Sequence, residues 1–155
     1  MTGLIEARLA ELGLTLPEAT APVANYVPFV QVGDLVHVSG QVSKGPDGWI
    51  TGRLGGGMDI AAGATAAQAC GLAILAQVKA ACGGDLDRVV RIVKLTAFVC
   101  SDPGFTDQPK VVNGASDLMV AVLGDAGRHA RSAVGVAALP LGCAVEIEAL
   151  VQVRR

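Results

Sequence analysis

From Val145 to Arg154, apolar and polar side chains alternate. Val145, Ile147, Ala149, Val151 and Val153 fall on one side, and Glu146, Glu148, Gln152 and Arg154 on the other. Successive side chains of a strand point to opposite faces, so this period of two predicts a strand with one face in a core. Its other face carries two carboxylates and is either solvated or set against another subunit. Composition favours a covered face. Of 155 residues, 52% are hydrophobic and only 17% charged, where about a quarter is usual. Either much apolar surface is hidden between copies or the chain is poorly soluble; the first is favoured and predicts an obligate oligomer.

The remaining segments supply the layers such a strand needs. Ile5, Leu9 and Leu12 stand at helical spacing, predicting a short amphipathic helix in an N-terminal extension over residues 1–20. Glu6, Arg8 and Glu11 interrupt the apolar run that a signal peptide would require. "TLPEATAPVANY" reads as a Pro- and Ala-rich connection, and "VPFVQVGDLVHVSGQV" as a hairpin turning at Gly33-Asp34. "SKGPDGWITGRLGGG" reads as a loop with a short strand at Trp49-Ile50. Its glycines, Gly55 to Gly57, lack the Lys and Ser/Thr of a phosphate loop and suggest a flexible turn. Asp59 can cap a helix that runs to about Cys82 and stops at Gly83-Gly84. The uncharged run Ile60 to Val78 approaches membrane length. It has few large aliphatic residues, and small residues such as Ala64, Ala67 and Gly71 suit a buried helix lying close on a sheet. "DRVVRIVKLTAFVC" predicts a strand. Gln108 to Leu123 predicts a helix with Pro109 in its first turn, where the missing N–H costs nothing. The closing strands are Arg131–Leu139 and Ala144–Arg154. The order β-β-(β)-α-β-α-β-β is that of an α+β fold, with two helices on one face of a mixed sheet in a single domain over 1–155.

Several functional classes are disfavoured. Formal net charge is −2, without a basic cluster, and aromatics are 3%, so neither a nucleic-acid footprint nor a base-stacking platform is expected. Cys70, Cys82, Cys100 and Cys143 are widely spaced, which predicts reduced thiols in a cytoplasmic protein with no membrane association. His37 and His129 complete no metal-ligand spacing. His37 reads as an interface side chain. Arg131 opens a strand expected to lie beside the glutamate strand. It either forms a salt bridge with one of those carboxylates or grips a ligand carboxylate through two parallel N–H···O bonds.

"ARSAVGVAALP" followed by "AVEIEALVQVRR" resembles the closing signature of the RidA/YjgF family of reactive-intermediate deaminases. "VGDLVHVSGQV" resembles that family's Ser-Gly-Gln hairpin, and "LDRVVRIVKLTAFV" its central strand. "APVANYV" places Tyr26, and "VVNGASDLMV" places Asn113, where the family has such residues. The likeness runs from about Ala21 to Arg155. It implies a chorismate-mutase-like fold, a homotrimer with inter-subunit clefts, and hydrolysis of 2-imino acids or their enamines to 2-keto acids and ammonia. By resemblance, Arg131 binds the substrate carboxylate, Glu146 orients the attacking water, and Tyr26, Asn113, Ser39 and Gly40 line the cleft. His129 stands beside Arg131 as a rim or cleft residue. No cofactor or metal is implied. The sequence departs from the family pattern at Ala133, where the family often has Cys, and at His129, where it has Pro. Ala24-Asn25 replace a Gly-Pro, and the N-terminal helix and the glycine-rich turn at 52–57 are additions.

Two other functions fit the same residues. One is a non-catalytic regulatory trimer that binds a small carboxylate. The other is an endoribonuclease, against which the acidic balance counts. Structural roles are available as well: Tyr26 as an interface anchor, Asn113 as a capping or inter-subunit hydrogen-bonding residue.

Overall fold

The computed structural model describes residues 2–21 and 24–155; Pro22 and Val23, in the expected connection, lie outside the described residues. The chain opens with helix α1 (Leu4–Glu11), then a hairpin of β1 (Phe29–Val32) and β2 (Leu35–Val42), then a two-stranded ribbon of β3 (Lys44–Gly45) and β4 (Gly48–Trp49). Helix α2 (Ile60–Ala81), strand β5 (Val89–Cys100), helix α3 (Gln108–Leu123) and strands β6 (Ala130–Val136) and β7 (Val145–Val153) follow. This is the expected order, with the ribbon in place of a single short strand.

Five strands form one mixed sheet in the order β1-β2-β7-β5-β6. β7, last in the chain, is inserted at the centre and runs antiparallel to β2 and β5. β5 and β6 are parallel and are joined through α3, the kind of crossover that parallel neighbours require. Val145, Ile147 and Val151 are fully buried, and Ala149 and Val153 nearly so, while Glu146 and Glu148 are half-buried and exposed on the other side.

Two expectations about β6 are corrected. It ends at Val136 rather than Leu139, because β5 offers its last partner at Cys100 and the chain then turns through Pro140–Gly142. It also does not lie beside the glutamate strand, since β5 stands between them. Register settles which way each side chain faces. Leu95 is the partner of both Arg131 and Ala149, so Arg131 shares the helix-covered face with the core. Phe98 is the partner of Glu146, and Thr96 of Glu148, so the carboxylates share the open face. Arg131 and Glu146 therefore stand on opposite faces of one sheet.

The helices are capped and packed as their sequences require. The Asp59 carboxylate accepts from the Ala62 N–H at 2.8 Å, relieving one unpaired donor of the first turn of α2. α2 is long and apolar enough to cross a membrane by length and composition, yet half of its most apolar stretch is buried here. Its small residues bring it against α3 as well as the sheet. A Cβ on Gly114 would collide with the Ala64 carbonyl. α1 docks through Leu9, 5% exposed, and through Asp87, whose two oxygens accept from the Leu4 and Ile5 N–H groups at 2.9 Å. Those bonds hold the Asp87 carboxyl below the usual range.

The glycine-rich turn is pinned rather than flexible. Leu54 is fully buried, and its N–H and carbonyl bond Cys100 and Asp102 at 2.9 Å each. Arg53 Nη2 donates to the Ala137 carbonyl at 2.7 Å. All four cysteines are free and buried.

Candidate active site

The residues singled out in the sequence gather into two groups, one on each face of the sheet. The first surrounds Arg131 at the edge strand. Helix α3 passes alongside, and its second and third turns present Asn113 and Ser116 at helical spacing. Arg131 Nη1 donates to Asn113 Oδ1 at 2.9 Å and to Ser116 Oγ at 3.1 Å. Its Nη2 donates to the Pro109 carbonyl at 3.3 Å. A guanidinium has five N–H donors in a fixed fork. Among the described residues, Nε–H and one of the two Nη2–H groups bond nothing; Nε and Nη2 share the side of the fork by which a carboxylate can be held. The salt bridge with Glu146 or Glu148 considered above does not form, because the sheet separates the groups.

His129 belongs to the same group. Its Nδ1 lies 2.6 Å from the Gly127 carbonyl and its Nε2 2.9 Å from Ser116 Oγ. Both ring nitrogens are engaged, so the ring meets Arg131 through Ser116 and has no nitrogen left for a ligand. Ser116 was not anticipated. Its only sequence signal is its place three residues after Asn113 on a helix, and many surface serines share that.

The second group stands on the open face. Between Val38 and Gln41 the β2–β7 register slips by one residue, so Ser39-Gly40 form a bulge opposite Glu148. Bulges bend a strand and re-aim its neighbours. Here the bulge lets Glu146 fold over Gly40: a Cβ on Gly40 would collide with Glu146 Oε1. Burial raises the Glu146 pKa, and the adjacent Glu148 carboxylate raises it further. Ser39 is occupied structurally. Its Oγ donates to the Val27 carbonyl at 2.7 Å and its N–H to the Pro28 carbonyl at 2.9 Å. These bonds tie the segment bearing Tyr26 to β2, leaving Tyr26 57% exposed. His37 is exposed on the same open face, paired across from Val30.

Other chemistries find less support. Glu6, Asp85 and Asp87 approach one another closely enough to hold a cation. Their oxygens instead cap α1 and the turn at Leu86, and Glu6 pairs with Lys79 at 3.6 Å. Burial pushes the thiols of Cys70, Cys82 and Cys143 up, which makes them poor nucleophiles.

The fold is shared with known proteins. Residues 6–151 match the family model described as "YjgF/chorismate mutase-like, putative endoribonuclease". The chain is 52% identical to Protein TCP17 of Trypanosoma cruzi, over 97% of this chain and 95% of that one. The crystal structure of Atu1372 from Agrobacterium tumefaciens, a protein of unknown function, superposes with a TM-score of 0.90 at 49% identity, covering 97% of this chain and 94% of that one. TdcF of E. coli, solved with bound serine, superposes with a TM-score of 0.60 at 27% identity, covering 89% and 94%. The higher score with the Agrobacterium protein places the chain in a branch distinct from TdcF. With the Ser-Gly bulge, the arginine strand and the paired glutamates all in place, the chain belongs to the RidA/YjgF family of chorismate-mutase-like proteins.

Proposed function

We infer that this protein hydrolyses reactive 2-imino acids, or their enamine tautomers, to 2-keto acids and ammonia, in clefts between three identical subunits. The observation that carries the reading is the division of one complementary set of residues between the two faces of the sheet. Arg131 keeps its Nε–H and one of its two Nη2–H groups unengaged and able to donate to a carboxylate. Glu146 sits on the other face with a raised pKa, as suits a group that accepts and returns protons. No side-chain rotation unites them within one chain, so a second copy supplies the missing half. Each cleft then takes Arg131 and Asn113 from one subunit, and Glu146, Gly40, Ser39 and Tyr26 from its neighbour. The serine bound to TdcF supports a small ligand bearing a carboxylate. The four free, buried thiols suit the cytoplasm.

The chemistry asks little of the site. The carbon of a protonated imine is already electrophilic. Arg131 fixes the substrate carboxylate while Glu146 holds a water against that carbon. The water oxygen bonds to C2 and its proton passes to Glu146. The carboxyl returns a proton to the amino nitrogen, the C–N bond breaks, and ammonia leaves. The hydroxyl on C2 loses its proton to the Glu146 carboxylate as it becomes the keto group, and the departing ammonia carries that proton off as ammonium.

Two measurements test this. A dehydratase acting on serine or threonine generates 2-aminoacrylate or 2-iminobutyrate, and the protein should speed imine loss and keto-acid release. Arg131→Ala and Glu146→Gln chains should each be inactive alone. Mixed one to one by co-refolding, they should regain about one quarter of wild-type turnover if subunits distribute at random around a ring. A site held within one chain would stay inactive in the mixture. Carboxylate binding by the wild type without turnover would favour the regulatory binder instead.

A further inference from the structure

Resting on the reading of Arg131 as the carboxylate grip, we propose that His129 and Ser116 form a relay that orients its guanidinium, with His129 as a positioning residue. The Gly127 carbonyl can only accept, so its 2.6 Å contact places the hydrogen on Nδ1. In the neutral ring the lone pair then sits on Nε2, 2.9 Å from Ser116 Oγ, and the serine hydroxyl donates to it. That turns the hydroxyl hydrogen away from the arginine and leaves the oxygen lone pairs facing Nη1 at 3.1 Å.

The relay is anchored at its far end. Gly127 closes the 3-10 turn Gly124–Gly127 and packs so tightly on α3 that a Cβ there would collide with the Met119 carbonyl. The Gly127 oxygen is thus held relative to the helix that carries Ser116.

The consequence is a choice between edges. A guanidinium can meet a carboxylate with its Nη1/Nη2 end or with its Nε/Nη2 side. Asn113 and Ser116 together take up Nη1, which leaves the Nε/Nη2 side to the ligand. Without an acceptor at Nε2, the Ser116 hydrogen would turn back to the carbonyl one helical turn earlier, the usual bond of a helical serine. The χ1 rotation that makes that bond would carry the Ser116 oxygen away, and Nη1 would lose one of two partners. His129, where the wider family has proline, then belongs to the specificity of this protein for how the carboxylate is held.

The test is calorimetry of 2-ketobutyrate binding to the intact protein, with melting temperature and assembly size measured beside it. Ser116→Ala and His129→Asn should each weaken binding about 10-fold, and the double variant by little more than either alone, because both remove the same charge-assisted bond. In turnover, KM should rise more than kcat falls. Asn keeps a donor where Nδ1 lay and offers nothing where Nε2 lay. Gln carries its amide near the Nε2 position, so His129→Gln should recover most of the affinity lost in His129→Asn. Equal impairment of the Asn and Gln variants, or affinities within about twofold of wild type in all three single variants, would overturn the relay. Arg131→Ala tells the two readings apart. If it abolishes binding while the relay variants do nothing, the relay alone fails; if it binds like wild type, the carboxylate grip fails with it.

Discussion

Glu146 is a carboxylate on a central strand, half-buried, beside a second carboxylate. Glu146→Gln keeps the shape and removes the charge. Turnover should fall about 10²-fold or more while 2-keto acid binding survives. The raised pKa also gives a stability signature. A carboxyl whose folded pKa lies above its unfolded value contributes stability that is full below the unfolded value and is lost as pH rises through the folded one. The melting temperature of Glu146→Gln relative to wild type should therefore climb as pH is raised through that window. A difference that stays flat from acid to neutral pH would remove the desolvated-carboxylate picture. Asp87 has the opposite sign. Its lowered pKa, from the Ile5 and Leu4 N–H bonds, supplies stability present above the unfolded value and lost as pH falls through the folded one. Asp87→Ala should blunt that acid-side loss, measured as melting temperature against pH. Amide exchange over residues 4–11 should rise at the same time, since the start of α1 loses its acceptors.

The elements owe their placement to close backbone approaches. α2 and α3 meet where Gly114 faces the Ala64 carbonyl. Gly114→Ala has no flexible side chain to push aside, so the helices must separate. We expect a loss of about 1–3 kcal/mol or more in urea unfolding, with a knock-on loss of 2-keto acid affinity because Asn113 and Ser116 ride on α3. Normal affinity with the stability loss would mean that α3 moves without carrying the arginine's partners. The β2 bulge plays the same part on the open face, where Gly40 makes room for Glu146. Sequence pattern anticipated the bounds of α2, α3 and the hairpin closely, because caps, glycine stops and proline at a first turn act within a few residues. It misjudged the Gly55–Gly57 turn, since only packing shows that Leu54 anchors it.

In the proposed trimer the two halves of the site meet between copies. Val30, Val32 and Val134 are exposed on the free sheet face and its edges, alongside the glutamates. We expect light scattering at micromolar concentration to report about three chains per particle; a stable monomer would remove the shared cleft. With net charge −2 and scattered Lys and Arg, single-stranded RNA should bind weakly at physiological salt. Tight, salt-sensitive binding with cleavage that survives repurification would promote the nuclease reading.

The alternation from Val145 to Arg154 determined that Glu146 and Glu148 leave the core together, because side-chain direction in a strand follows from local backbone geometry. The family likeness named Arg131, Asn113, Tyr26, Ser39 and Gly40 from their motifs. Strand order was not legible. That β5 stands between Arg131's strand and the glutamates, and so sets the arginine and Glu146 on opposite faces, depends on pairing between segments far apart in the chain. Nor could the sequence place Ser116 between His129 and Arg131. Helical spacing puts Ser116 on one side of α3, but only the packing of α3 beside β6 and the turn at Gly127 brings the three side chains within hydrogen-bonding reach.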